Sequence, residues 1–437
     1  MTTHIGNSLR IAAAAALILT TASTSAQEAA ATAAPAPGGA PAAAAVVPVA
    51  APAPAPAAKS PGVTVYGTLN ANFQITQAKG ATNPAESVSA RNAVSIDSSN
   101  VGVKAQAEVV GGLTVIGQCE TSASIDGIDV KGICNRNSRV GVQSQYGTLF
   151  YGNWDTPFKA AAYGTKADDP FQNTDAFGYQ AILGSPGFNY RSGGWSTSST
   201  ATVGGFDVRA NNSVAYHSPK VYGVSVKLQY SASENADAKG SSIPQLVSGG
   251  VNYEWEGLSL LAAYERHYDS YGLAVVAGNP TTHNTVDSAW RVGAGYQLDT
   301  PAGATTFGVL VDQLVFTQDN AAVGDVKEAK RLAWQVSAKH RLGDHELRAR
   351  YDSAGEADGE LQGGGSGDAP DTGATQITVG YAYHLAKAAH AYVSYTRIFN
   401  ERNAQYTLPI GGSPAVAGKT PAGAEPQALG LGIRYSF

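Results

Sequence analysis

Six arginines, Arg291, Arg331, Arg341, Arg348, Arg350 and Arg434, sit in stretches where polar and apolar residues take turns, each on the polar side of the alternation. Lys104 is placed in the same way. Such spacing puts cations on the wet face of a β-strand. Facing rows of fixed positive and negative charge across a narrow wet passage set up a transverse field. That field orders water and dipolar solutes, and its signed excess decides which ions enter. A second constellation is Cys119 and Cys134, with Gly127 and Gly132 between them. In an exported chain such a pair is expected to close a loop as a disulfide; two free thiols are the alternative. Neither cysteine adjoins a histidine, so loop stiffening fits the pair better than metal ligation.

Other chemistry is not supported by the spacing. The eight histidines are scattered, with no HExxH and no paired spacing on one strand face that would suggest zinc. Gly293-Ala-Gly295 and Gly430-Leu-Gly432 lie in strand-like segments with no following helix, which argues against a nucleotide cradle. No Gly-x-Ser-x-Gly elbow occurs. No catalytic, cofactor or metal residue is assigned. The 29 basic and 34 acidic residues give a net charge of -5 without a basic run, so nucleic acid is not an expected partner.

The elements that must position the arginines are strands. Gly (50) and Tyr (21) are abundant while Met occurs once, a composition suited to strands, turns and aromatic belts rather than helical cores. Residues 1–26 read as a cleavable secretory signal: Arg10, the apolar run from Ile11 to Leu19, then small residues ending at Ala26. That run falls short of the ~20 residues a spanning helix needs. Residues 27–62 form an Ala/Pro-rich spacer, extended or disordered, and the pattern changes at Val63. From Val63 to Ile75 every odd position is apolar or Gly, and every even one except Tyr66 is Thr, Asn or Gln. Period two over this length is a strand with one face in an apolar medium and the other in water.

The alternation recurs in segments expected at 63–75, 93–108, 112–122, 136–144, 147–154, 209–218, 223–231, 246–256, 258–268, 287–298, 304–316, 328–342, 345–353, 374–386, 389–400 and 427–437. An even number of strands joined as hairpins suits an all-β, sixteen-stranded antiparallel transmembrane barrel over 63–437. Short connections such as Gln145-Tyr146 and Gly343-Asp344 alternate with long ones, the longest at about 155–208. Turns then gather at one rim and loops at the other. Tyr66, Tyr151, Trp154, Tyr230, Trp255, Tyr296 and Tyr435, near strand ends, are expected in interfacial girdles. A soluble sandwich or propeller is the competing reading, but no blade-sized repeat is present.

Four passages resemble the general porins of Gram-negative bacteria, the sixteen-stranded trimeric branch. They are Val63-Thr-Val65-Tyr66-Gly67; Ser99-Asn-Val-Gly-Val103 with Gly111-Gly-Leu113; Arg139-Val-Gly-Val142 with Tyr146-Gly-Thr148; and Asn212-Ser213-Val-Ala-Tyr216-His-Ser-Pro219, closed by Arg434-Tyr-Ser-Phe437. The resemblance implies a third loop folded inward as a constriction. Asp168 and Asp169 of Asp168-Asp169-Pro170-Phe171 would then face Arg139, Arg209 and Lys104 on the wall. Asn100 and Thr68 stand where relatives carry basic residues, so the ion preference stays open. The resemblance also implies a homotrimer in outer-membrane lipid, with Phe437 as the signal read by the barrel assembly machinery. Its permeants would be ions and small hydrophilic solutes. A substrate-selective porin, an adhesin barrel and an outer-membrane hydrolase are the alternatives.

Overall fold

The computed structural model describes residues 62–96, 98–125, 132–172, 177–191, 194–196, 205–232, 244–269, 285–319, 321–408 and 420–437. The expected signal, 1–26, and all but the last residue of the expected spacer, 27–62, lie outside the described residues. The strands in chain order begin with β1 (Gly62–Lys79), β2 (Val88–Ser95), β3 (Asn100–Glu108), β4 (Thr114–Ser122), β5 (Ser138–Ser144) and β6 (Gly147–Asp155). Next come β7 (Asn189–Arg191), β8 (Gly194–Ser196), β9 (Arg209–His217), β10 (Val224–Ala232), β11 (Gln245–Trp255), β12 (Leu258–Tyr268) and β13 (Thr285–Thr300). The remainder are β14 (Gly303–Gln318), β15 (Val326–Leu342), β16 (His345–Ala354), β17 (Asp358–Leu361), β18 (Ala374–Ala386), β19 (Ala389–Asn400) and β20 (Glu425–Ser436).

Each wall strand is antiparallel to its neighbours, and β20 returns to β1 in register from Thr68↔Ser436 to Lys79↔Glu425. Gly67 and Phe437 exchange two backbone hydrogen bonds of 3.0 Å at the seam. Because β2 and β3 share one flank of β1, β7 pairs only with β8, and β17 merely extends the β15 edge, the closed wall has sixteen staves. Closure leaves no strand edge unpaired within the apolar layer.

Exposure along the staves is inverted relative to a water-soluble protein. Phe73, Ile75, Val309, Leu431 and Ile433 are exposed on the outside, whereas Asn70, Asn72, Gln74, Gln376 and Thr396 are buried inside. Apolar side chains are stable outside only if the surroundings are themselves apolar, so the barrel crosses a membrane with its strands. No helix among the described residues is long and apolar enough to do so.

Three local outcomes refine the expectations. The stave expected at 93–108 is two strands, split where Ser98 adopts φ 55°. Tyr66 and Trp154 do not join an outward girdle. The Tyr66 hydroxyl donates to Glu120 at 2.9 Å and accepts from Gln118 Nε2 at 2.9 Å, and the Trp154 ring lies 4.5 Å beneath the Arg139 guanidinium. Tyr151, Trp255, Tyr296 and Tyr435 are exposed outside, as a girdle requires. Cys119 and Cys134 are disulfide-bonded, with Cα atoms 4.8 Å apart, and the Cys134 N–H donates to Thr121 Oγ1 at 2.9 Å.

The apolar core is unusual in its composition. Phe158, Phe171, Phe177, Ile182, Leu183 and Phe206, all from the long connection between β6 and β9, pack with Leu261, Leu310, Leu314 and Phe316 of the wall strands. Each such burial stabilises by roughly 1.5–3 kcal/mol relative to exposure.

Candidate functional site

Described residues of the connection between β6 and β9 bond to buried charged groups of the wall strands. Arg350 on β16 donates from Nη1 to Asp169 Oδ2 at 2.7 Å and from Nε to Asp352 Oδ2 at 2.7 Å. Asp169 also accepts the backbone N–H groups of Phe171 and Tyr179, each at 2.9 Å. On β13, Arg291 reaches Asp207 Oδ1 at 2.9 Å and Asp312 Oδ2 at 2.9 Å, while Asp312 accepts the Gly184 N–H at 2.8 Å. Arg331 on β15 completes the set by pairing with Asp312 at 3.4 Å and donating to the Ser185 carbonyl. Guanidinium groups removed from water are tolerable only with such multiple charged partners.

Glycine makes room for this contact. A Cβ on Gly295 would lie 2.1 Å from the Lys166 backbone, and one on Gly380 would lie 2.8 Å from the Phe171 ring. Gly295 thus serves close backbone approach inside the barrel, while Gly293 makes room for the Leu310 side chain of the next strand. No other use of either is needed.

The five charged residues expected at a constriction have different immediate partners. Asp168 and Asp169 line a cavity of 410 Å³ with Lys166, Lys339, Arg348 and Arg434. Arg139, Arg209 and Lys104 do not line it. Arg139 stacks on Phe150 and Trp154, with its guanidinium carbon 4.9 and 4.5 Å from the ring centroids. Arg209 pairs with Asp155 at 3.1 Å and donates to Asn137 Oδ1 at 2.9 Å. Lys104 lies 4.2 Å from the Tyr66 ring centroid. Sequence reasoning named Arg348 and Arg434 as inward but gave Lys166 and Lys339 no role. Lys339 alternates with apolar Ala338 on its strand, so the signal was present.

The Asp168 carboxyl faces the cavity. Burial and the neighbouring Asp169 push it up to about 7, against the opposing pull of the Gly164 N–H, which donates to it at 2.8 Å. The group therefore changes charge near neutrality, unlike an ordinary exposed carboxylate. Among the described residues no three His, Cys, Asp or Glu side chains group as a metal site.

A family model described as Gram-negative porin matches residues 13–403. The major outer membrane protein P.IB of Neisseria lactamica is 25% identical over 342 residues, which span 76% of this chain and 86% of that protein. The anion-selective porin from Comamonas acidovorans aligns in structure with a TM-score of 0.64 at 20% identity, covering 86% of this chain and 100% of that one. The in-vitro folded OmpT of Vibrio cholerae, in its trimer form, aligns with a TM-score of 0.55 at 18% identity over 87% of this chain and 100% of its own. At these identities the likeness in structure is one of fold.

Proposed function

The chain belongs to the Gram-negative porin family, and from that premise we propose that it is a water-filled channel for passive diffusion of ions and small hydrophilic solutes. As an outer-membrane β-barrel channel protein of this family, it is not an enzyme. The observation that carries the channel reading is the inverted exposure together with the polar cavity: apolar side chains outside, and a lumen that keeps charged residues in contact with water. Sixteen staves leave an interior wider than side chains alone can fill.

The segment Thr156–Val208 is the inward-folded third loop that narrows the passage. Its support is the set of bonds from Arg291, Arg331 and Arg350 to loop groups and the glycine clearance beneath it. Asp168 and Asp169 belong to the constriction on the loop side, and Arg139, Arg209 and Lys104 to the wall of the passage beyond the cavity. Residues 1–26 direct export and are removed, 27–62 are a spacer and 63–437 form the barrel. Phe437 presents the last strand to the barrel assembly machinery. The assembly is a homotrimer in outer-membrane lipid. In support, β4, β5 and β6 have 9, 7 and 9 residues against 16 or 17 in β13 to β15, so the short side suits a protein neighbour better than lipid.

Swelling of liposomes that contain the refolded protein tests this reading. Rapid swelling in a pentose or small amino acid, slowing steeply for a trisaccharide, is expected. Equal impermeability to all of them would contradict an open lumen.

A further inference from the structure

Staves β15, β16, β18, β19 and β20, on one side of the lumen, carry inward basic groups in two cross-strand sets, separated at β18, where Gly380 is the partner of Arg348. Lys339 on β15 is the cross-strand partner of Arg348 on β16, His384 on β18 is the partner of His390 on β19, and His390 is the partner of Arg434 on β20. Lys339, Arg348 and Arg434 line the same cavity as Asp168. One carboxylate interrupts the row, Glu346, and it is already engaged by Arg348 and by His384 Nε2 at 3.3 Å. Among the described residues, neither Lys339 nor Arg434 forms an ion pair or a side-chain hydrogen bond, and the buried Nε of Arg434 has no partner. The wall arginines implied by resemblance differ: Arg209 is neutralised by Asp155, and Arg139 is covered by rings.

Cations that border a water-filled cavity with low-dielectric walls, and that no direct ion pair consumes, draw mobile anions into it. A guanidinium offers a planar fork that suits two oxygens of one oxyanion, and an ammonium on a neighbouring stave adds a point charge. We propose that Lys339 and Arg434, with Arg348 between them, form a docking site for a small oxyanion, a phosphate or carboxylate group, within the permeation path. This site rests on the channel reading and deepens it. It moves the selective charge from the staves around β5 and β9 to those from β15 to β20. The two histidines extend the row towards the short-turn rim. Asp168, on the loop, opposes the row with its own charge and is nearest in effect to Lys339.

The test is chloride conductance of the full-length mature channel in planar bilayers, titrated with inorganic phosphate. Phosphate is expected to reduce the chloride current saturably, and Arg434→Gln and Lys339→Gln should each raise the half-effect concentration roughly tenfold, the loss of one charged hydrogen-bond partner. Each variant's own conductance steps in chloride alone show that it has folded and inserted. Conducting channels on which phosphate has no saturable effect, or the same effect in wild type and both variants, overturn the docking site and leave the channel reading standing. Wild-type protein that is folded and inserted yet conducts nothing overturns both.

Discussion

Arg350 and Arg348 are consecutive inward residues of one strand, yet they occupy opposite situations. Arg350 is buried with Asp169 and Asp352 as partners, while Arg348 borders the cavity with Lys339 and Arg434 and pairs only with Glu346 of its own strand. The same contrast separates Arg291 and Arg331 from Arg434. Strand alternation decides the face on which an arginine stands. What the loop carries above that face decides whether it becomes a structural clamp or a charge available to permeants. Three buried guanidinium groups bond to groups of the connection between β6 and β9; Lys339, Arg348 and Arg434 border the cavity.

The strongest way to break this contrast is to remove one member of each class. Arg350→Ala leaves Asp169 and Asp352 buried without their cation and should cost about 3–5 kcal/mol, read as a lower midpoint in denaturant unfolding of the refolded protein. Lys339→Ala, which strands no partner, should stay within about 0.5 kcal/mol. Equal losses would erase the distinction between clamp and open row. A smaller effect is expected at Arg209, where the reversal potential in a salt gradient is the readout. Arg209→Ala unmasks Asp155 only in part, since Lys159 also pairs with it at 3.0 Å, so selectivity should move towards cations by less than in Lys339→Gln. An unchanged reversal potential would remove Arg209 from the permeation path.

The smallest effect is the pH response of Asp168. With its carboxyl pushed up to about 7, Asp168 is neutral below that pH and charged above it. Raising pH from 6 to 8 adds negative charge opposite Lys339, and the channel should become less anion-preferring across that window. Asp168→Asn should flatten the response. A wild-type reversal potential that is constant over the window would mean that Asp168 is ionised throughout.

Much of the barrel was legible because period two has a single physical cause along the whole wall. Val63 to Ile75 alternate since lipid and water lie on opposite sides of one sheet, and the same holds for Leu332 to Ala338 and for Leu429 to Phe437. Alternating loop lengths also followed, because hairpins between neighbouring staves need few residues at the turn rim. Interruptions were less visible. The break between β2 and β3 follows from the turn at Ser98-Ser99, which the apolar pattern on either side masks. Tyr66 broke the alternation of its own strand, a sign that it points inward.

The site was legible only in outline. The loop's position and its acidic pair came from resemblance, whereas the partners of Asp169 and Asp207 lie 181 and 84 residues away. Alternation places Arg350 on the inner face but carries no information about which loop carboxylate will cover it. The same limit applies to Lys339, whose importance depends on its place at the cavity opposite Asp168 rather than on its own spacing.

The measurement that bears most directly on the channel itself is single-channel conductance of the refolded mature protein in a planar bilayer under a salt gradient. Stable steps in threes, with a reversal potential displaced towards anions, are the predicted result. A correctly folded and inserted barrel that passes no current would contradict the account.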